Sequence, residues 1–326
     1  MREVPRQGRR QIALFLKFVS ALLLSISSLA AGCAVLANGG RFSDTLDGFA
    51  HPAPIYAIIG GLVVALAFIP RMPRRGLTRV MGAIAILASS LLMAPEWFRT
   101  TGPHLPETTE GTIKVIQYNA QLSNTDIRRA ADWLIAQNPD VLAITETRHD
   151  LRDLLIKRAG WKAAGAHSSL MILTPDAYLS MDRPSLSRRS QLTFINATYA
   201  TASGPMEVVT THLDWPTRTR FRLQEQDLNA VLQRLPTERT LLLGDFNSTP
   251  WSQALQRRDH GRGLIRRDRA VATFPAEILG LPWPLPFLPI DHIYAGPGWA
   301  TVKVERGPWL GSDHYPLIVT LAPVAN

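Results

Sequence analysis

The residues best suited to chemistry in this chain stand where apolar runs stop. Thr240-Leu241-Leu242-Leu243 leads into Gly244-Asp245-Phe246-Asn247, so a strand buried by its leucines delivers an acid and an amide, two residues apart, to a loop. At that spacing both side chains leave the strand on the same side. A carboxylate that can take a proton from water, beside an amide that can hold a phosphate oxygen, is a hydrolytic arrangement. Asp-Phe-Asn also suits a turn or helix cap before Pro250, because Asp, Asn and Ser favour both. The two uses are compatible, since Ser248 or Thr249 can cap a helix while Asp245 does chemistry.

The same pattern recurs along the chain. The run Ile113–Tyr118 ends at Asn119, and Asp140–Thr145 ends at Glu146. Met206–Thr211 ends at His212, followed by Asp214, and Pro289-Ile290 leads into Asp291. Ser312-Asp313-His314 precedes a last apolar run, Tyr315 to Leu321. Polar residues at the strand ends of an α/β sheet are where sites are built.

Taken in order, Asn119, Glu146, His212, Asp245 with Asn247, Asp291, and Asp313 with His314 resemble the endonuclease/exonuclease/phosphatase superfamily, the DNase I-like group, over roughly Gly111 to Pro323. That group includes nucleases, inositol polyphosphate 5-phosphatases and neutral sphingomyelinases. The resemblance implies a four-layer α/β-sandwich, two packed mixed sheets with outer helices, and a phosphoesterase that uses Mg²⁺, with Mn²⁺ as a substitute. It implies Glu146 as the main metal ligand, Asn119 close to metal and phosphate, and Asp313 in support. Asp245 would orient and deprotonate the attacking water, and Asn247 would hold a non-bridging oxygen. His314 would contact the scissile phosphate, with Asp291 fixing its tautomer. Members of the exonuclease III type tend to carry a tyrosine where His212 stands; DNase I, the phosphatases and the sphingomyelinases carry a histidine. The neutral Gln121 offers little charge to a second ion, so one metal is expected. His167 and His292 read as structural, and Asp214 points away from the centre or orients nearby groups.

Strands must alternate with helices to position these residues. Apolar spacing predicts helices over Asp126–Gln137, Leu151–Ala159 and Thr217–Leu235, and strands over Ser169–Leu173 and Leu192–Tyr199. No Gly-rich phosphate loop is present, so a nucleotide-binding fold is not favoured. Phe274 to Ile290 contains Leu281-Pro-Trp-Pro-Leu-Pro-Phe-Leu-Pro289, too Pro-rich for a helix or a central strand. It packs on the domain, walls the site, or dips into a bilayer.

The 326 residues carry a net charge of +9, unevenly spread. Residues 1–95 hold +7 and the remainder +2, so most of the excess is a membrane-topology signal rather than a DNA-binding surface. Uncharged Phe18–Asn38, Ala53–Ile69 and the shorter Val80–Ala94 predict three transmembrane helices at about 12–37, 53–69 and 77–97. The third reaches spanning length if Arg79 and Glu96 snorkel. Arg2, Arg6, Arg9 and Arg10 precede the first segment, and Arg71, Arg74, Arg75 and Arg79 lie between the last two. By the positive-inside rule the N-terminus is cytoplasmic, and a catalytic domain at 112–326, after a linker at 98–111, is periplasmic on a bacterial inner membrane. Cys33, the only cysteine, excludes an intramolecular disulfide or a cysteine-rich metal site. It also closes Leu29-Ala-Ala-Gly-Cys33, which looks like a lipoprotein cleavage box; lipidation there would replace the first crossing with an anchor.

The lipid bilayer and a phosphodiester are therefore the expected partners, and no protein partner can be inferred. A nuclease-type substrate is favoured by the basic cluster Arg257, Arg258, Arg262, Arg266, Arg267 and Arg269, with Arg257 and Arg258 as substrate-binding candidates. The cluster also suits anionic headgroups or a solvated basic face. The apolar 281–289 loop favours the alternative, a phospholipid or sugar-phosphate phosphodiesterase or phosphatase of the sphingomyelinase or inositol-phosphatase kind.

Overall fold

The order of elements follows the alternation of apolar runs. The computed structural model describes residues 6–70, 72–165, 169–182, 186–201, 204–261 and 263–324. Arg2, Arg71, His167 and Arg262 lie outside the described residues. The chain falls into two units: Met1–Phe98 with Trp251–Gln253, and Arg99–Pro250 with Ala254–Asn326.

The first unit is helical, with α1 (Arg6–Ala37), α2 (Asp44–Asp47), α3 (Ala53–Leu66) and α4 (Arg75–Phe98). Among the described residues, two helices, α1 and α4, are long and apolar enough to cross a membrane. The third expected span is therefore not the short one: α4 has 24 residues. The second is short, because α3 has 14 residues, which rise about 21 Å against roughly 30 Å of hydrocarbon. Small residues allow close packing here, since a Cβ on Gly60 would lie 2.6 Å from the Gly82 carbonyl oxygen. Arg79 donates from Nη2 to the Ala67 carbonyl at 2.8 Å and stacks on the Phe68 ring, so it caps the end of α3.

The second unit runs β1 (Ile113–Asn119), α5 (Ile127–Gln137), β2 (Val141–Thr145), α6 (His149–Ala159), β3 (Lys162–Ala164), β4 (Met171–Thr174), β5 (Ser180–Asp182), β6 (Thr193–Thr201), β7 (Gly204–His212), α7 (Phe221–Leu232), β8 (Thr240–Asp245), α8 (Gln253–Asp259), β9 (Ile265–Arg266), β10 (Glu277–Ile278), β11 (Leu281–Pro282), β12 (Asp291–Ala295), β13 (Trp299–Arg306) and β14 (Leu317–Pro323). One six-stranded sheet is ordered β13-β14-β1-β2-β4-β3 and the other β5-β6-β7-β8-β12-β9, while β10 and β11 pair with each other as a small antiparallel hairpin. The expected helix at Thr217–Leu235 starts later, because Thr217 to Arg220 form a turn.

Period-two alternation builds four layers. Val115, Val141, Ala143, Val208, Leu241, Leu243 and Ile293 pack between the sheets. Their neighbours Ile116, Leu142 and Ile144 turn outward onto Ala130, Leu134, Leu151 and Leu155 of α5 and α6. Leu242 and Val209 turn outward onto Phe221 and Leu228 of α7. Each fully buried leucine contributes on the order of 1.5–3 kcal/mol. The result is the expected sandwich of two mixed sheets between helices.

Strand direction explains the position of the site. β1 and β2 are parallel through α5, and β7 and β8 are parallel through α7, so all four bring C-terminal ends to one edge. β12 and β14 run antiparallel to β8 and β1, so their beginnings arrive at that same edge.

Residues 99–107 are irregular but are not a free linker. Arg99 donates to the carbonyls of Arg266 and Asp268, both at 2.9 Å. Leu105 donates to Thr301, whose own amide donates to Pro103.

Gly244 is required by close approach. A Cβ there would stand 2.1 Å from the Thr211 carbonyl oxygen on β7, a backbone atom that cannot move aside. Gly244→Ala is expected to destabilise the protein by about 2 kcal/mol or more and to displace Asp245. A thermal midpoint in detergent micelles equal to that of wild type would contradict this.

Candidate active site

Asp245 ends β8 at the bottom of the edge where the strands converge. It is 1% exposed and pairs in register with His212 of β7 and Asp291 of β12. Its Oδ1 accepts the Asn247 amide at 2.9 Å. Its Oδ2 accepts the Asn119 side-chain amide at 3.0 Å, and that amide also lies 3.2 Å from Glu146 Oε1. His212 Nε2 is 3.6 Å and His314 Nε2 is 3.8 Å from Asp245 Oδ2. Burial, and then the charge of Asp291, push the Asp245 carboxyl above its ordinary value, while the two histidines oppose the shift.

His314 is held from behind. Its Nδ1 is 2.7 Å from Asp291 Oδ2, which also accepts the Thr273 hydroxyl at 2.6 Å. Phe274 packs a ring against it at 5.0 Å between centroids. Burial alone would lower its pKa. The charge and hydrogen bond of Asp291, helped by Asp245 and Asp313, carry it instead to about 10. The turn before β14 is tied to β1, because Ser312 Oγ donates to the Asn119 carbonyl at 2.7 Å and accepts the His314 amide at 3.0 Å.

Three non-glycine residues at this edge adopt left-handed backbone: Gln121, Glu146 and Asn247, with φ of 54°, 52° and 49°. Asn adopts this region readily, but for Gln121 and Glu146 it is uncommon, and such conformations collect at functional edges. Gln121 has a positioning task, since its side-chain oxygen accepts the Asp313 amide at 3.2 Å. Asn247 donates to the Leu213 carbonyl at 2.8 Å and lies 3.3 Å from His212 Nε2.

Glu146, His212, Asp245, Asn247, Asp313 and His314 line one cleft of about 470 Å³. Asn119 and Asp291 stand behind it, holding Asp245 and His314. Trp215, Arg218, Arg220 and Phe274 also line the cleft. Their sequence carries little sign of it: Trp215 and Phe274 lie in connections near His212 and the apolar loop, and Arg218 and Arg220 fall inside a stretch whose spacing predicts a helix. Asp214 is at the cleft, joined to Arg220 at 3.0 Å. His292 is structural, wholly buried between Asp268 at 2.8 Å and the Ser248 carbonyl at 2.9 Å.

The two arginines expected to bind substrate are not in this cleft. Arg257 pairs with Glu225 at 3.0 Å. Arg258 is buried and donates to Asn229 Oδ1 at 2.6 Å. Both line a separate cleft of about 170 Å³. Arg266 is enclosed between Asp259 and Asp268, Arg267 donates to the Ala295 and Gly296 carbonyls, and Arg269 donates to the Arg99 carbonyl. Glu225 and Asn229 come from α7, whereas Asp259 and Asp268 lie within the basic stretch itself.

Asp245, Asp291 and His314 offer ligand atoms within 4.8 Å of one another, a cluster that can hold a divalent metal. A hard cation prefers oxygen donors with room for water. The buried pairing of Asp291 with His314 and Thr273 is less suited to that than the more open carboxylates of Glu146 and Asp313.

Asp291→Asn should bring the His314 titration in the metal-free protein down towards the ordinary histidine range, as read by NMR. The folded value lies above the unfolded 6.5. The stabilisation is therefore complete below pH 6.5 and lost as pH rises through about 10. Wild type should lose stability to urea between pH 7 and 10 more steeply than the variant; equal slopes would refute the coupling.

Known proteins share this architecture. Residues 116–314 match the Endonuclease/Exonuclease/phosphatase family. An endonuclease/exonuclease/phosphatase from Bacteroides vulgatus superposes with a TM-score of 0.55 at 15% identity, over 66% of this chain and 100% of that one. One from Beutenbergia cavernae gives 0.52 at 18% identity, over 65% and 72%. D. rerio TDP2 complexed with single-strand DNA product gives 0.53 at 13% identity, over 65% and 100%. No curated protein matches the chain. At these identities the structures establish the fold alone, and it is the family match across most of the second unit that carries the assignment: the chain belongs to the endonuclease/exonuclease/phosphatase family of phosphoric ester hydrolases.

Proposed function

We propose that this protein is a membrane-anchored, Mg²⁺-dependent phosphodiesterase of nuclease type, with its catalytic unit outside the cytoplasm. The observation that carries the reaction is Asp245, a buried carboxylate held by two amide donors between two histidines at the base of a cleft. Its raised basicity suits it to take the proton of an attacking water. Asn247 and His212 hold a non-bridging oxygen of the phosphate. His314, kept protonated by Asp291, directs Nε2 towards the cleft and stabilises charge that develops on the phosphate.

The donor set fits a hard divalent ion. Burial and the nearby charge of Glu146 push the Asp313 carboxyl above its ordinary value, although His314 opposes this; a cation between the two acids relieves that repulsion. Glu146 and Asp313 would hold the ion, with Asn119 beside them. Once bound, Mg²⁺, or Mn²⁺ in its place, supplies Lewis-acid neutralisation of the phosphate oxygens. Nuclease-type chemistry is supported by the DNA product held by the TDP2 relative. A second reading, a phospholipid or sugar-phosphate phosphodiesterase, is supported by an exposed apolar hairpin: Leu279 is 97% and Leu281 and Leu285 are each 70% exposed.

Anchoring is supported by the length and apolar character of α1 and α4. Three crossings would keep the N-terminus and the Arg74-Arg75-Arg79 segment cytoplasmic and send the catalytic unit outside. A periplasm-active reporter fused after residue 100 should give signal. Signal only from a cytoplasm-active reporter would mean two crossings and overturn the placement.

For the reaction, Asp245→Ala should lower Mg²⁺-dependent hydrolysis of bis(p-nitrophenyl) phosphate by about a thousandfold, and EDTA should abolish it. Undiminished turnover in the variant would sink the assigned role.

A further inference from the structure

Resting on that phosphodiesterase reading, we propose that the cleft contains a second anion-binding subsite. It is built on Arg218 beside Trp215, takes a phosphate adjoining the scissile one, and selects nucleotide-type substrates over diesters with a single charge.

The cleft is larger than one phosphate needs. Its volume of about 470 Å³ is that of a pocket for a whole small ligand, and its lining continues past the reacting groups to Trp215, Arg218 and Arg220. The carboxylates of Glu146, Asp245 and Asp313 all face this space, so a substrate with more than one negative charge needs a cation elsewhere in the cleft.

The two arginines differ in how they are used. Arg220 is engaged, with Nε 3.0 Å from Asp214 Oδ2 and Nη1 on the Gln191 side-chain oxygen. Arg218 is exposed and has no ion pair among the described residues. Its backbone is fixed on both sides: its amide donates to the Trp215 carbonyl at 2.8 Å, and its carbonyl accepts the amide of buried Phe221 at 3.1 Å. The turn is also pinned where the Asp214 amide donates to Gln224 Oε1 at 2.8 Å. A planar guanidinium on a braced turn matches phosphate geometry. Trp215, half-buried on the same turn, presents an indole on which a flat base can stack. The turn follows His212 directly, so an anion on Arg218 extends the substrate from its reacting phosphate along the cleft.

The test uses the full-length protein in detergent micelles with Mg²⁺ and two chromogenic substrates, thymidine 5′-(p-nitrophenyl phosphate) and the same compound bearing a 3′-phosphate. Wild type should favour the 3′-phosphorylated compound by about tenfold in kcat/KM, mostly through KM, and the preference should shrink with added salt. Arg218→Gln should bring the ratio close to one. In parallel, thymidine 3′,5′-bisphosphate should bind wild type about tenfold more tightly than thymidine 5′-phosphate, and Arg218→Gln should erase the difference. Equal treatment of the paired compounds by wild type, or a preference that survives Arg218→Gln, overturns the subsite. Faster release of headgroup from phosphatidylglycerol vesicles, with a substrate ratio near one, overturns it in favour of the lipid reading. If neither diester is cleaved but the Arg218-dependent preference for bisphosphate remains, the reaction assignment fails while the subsite stands.

Discussion

The desolvated carboxylate of Asp245 is the constraint on which the rest of the site depends. Burying a charge without partners is prohibitive, and each partner that stabilises this one comes from a different strand or strand end: Asn119 from β1, His212 from β7, the Asn247 amide from the loop after β8, and His314 from the turn before β14. A slip of one residue in β7 or β8 would turn His212 or Asp245 to the opposite face and bury a leucine's neighbour in its place. The register of both sheets and the electrostatics of the site are thus one requirement. The apolar residues between the sheets enforce it, because the alternation that seats Leu241 and Leu243 in the core also decides which way Asp245 points.

A second buried pair makes the arrangement asymmetric. Asp291 has its Oδ2 committed to His314 and Thr273, so His314 stays charged where burial alone would neutralise it. Two carboxylates at register positions opposite each other therefore act differently. Asp291 is compensated by a histidine in direct contact, while Asp245 has only weaker, longer contacts with two. Placing one acid in direct contact with a histidine and burying the other among amide donors is how one site can hold both a base and a charged donor.

Much of this was legible in the sequence because it rests on local pattern. An apolar run bounded by a polar residue is a buried strand reaching an edge: Asn119, Glu146, His212 and Asp245 stand at or just after the ends of such runs, and Asp291 and His314 at or just before the beginnings of others. The unread parts have nonlocal causes. Whether Arg257 and Arg258 are surface or core depends on Glu225 and Asn229 of α7, and only folding brings those partners to them. The 98–111 stretch lacks apolar period, yet backbone and guanidinium hydrogen bonds pin its first part to the catalytic unit, a kind of order that hydropathy does not record. Arg218 lies in a turn where the spacing predicts a helix, because helical spacing in Thr217–Leu235 says little about the residue at which the first turn closes.

The apolar hairpin is coupled to the chemistry by a short path. Phe274 packs on the His314 ring, and the Ala276 amide donates to the Asp313 carbonyl at 2.6 Å. Tyr315 Oη donates to the Trp283 carbonyl at 2.8 Å, and the Trp283 amide donates to Ala276 at 2.7 Å. The base of the hairpin therefore braces the Asp313-His314 turn, while Leu279 and Leu281 at its tip stay exposed. Exposed apolar surface of this kind is costly in water, and bracing alone needs only the base. The tip must be accounted for by what the hairpin meets, and whatever covers it touches an element whose base is hydrogen-bonded directly to the Asp313-His314 turn.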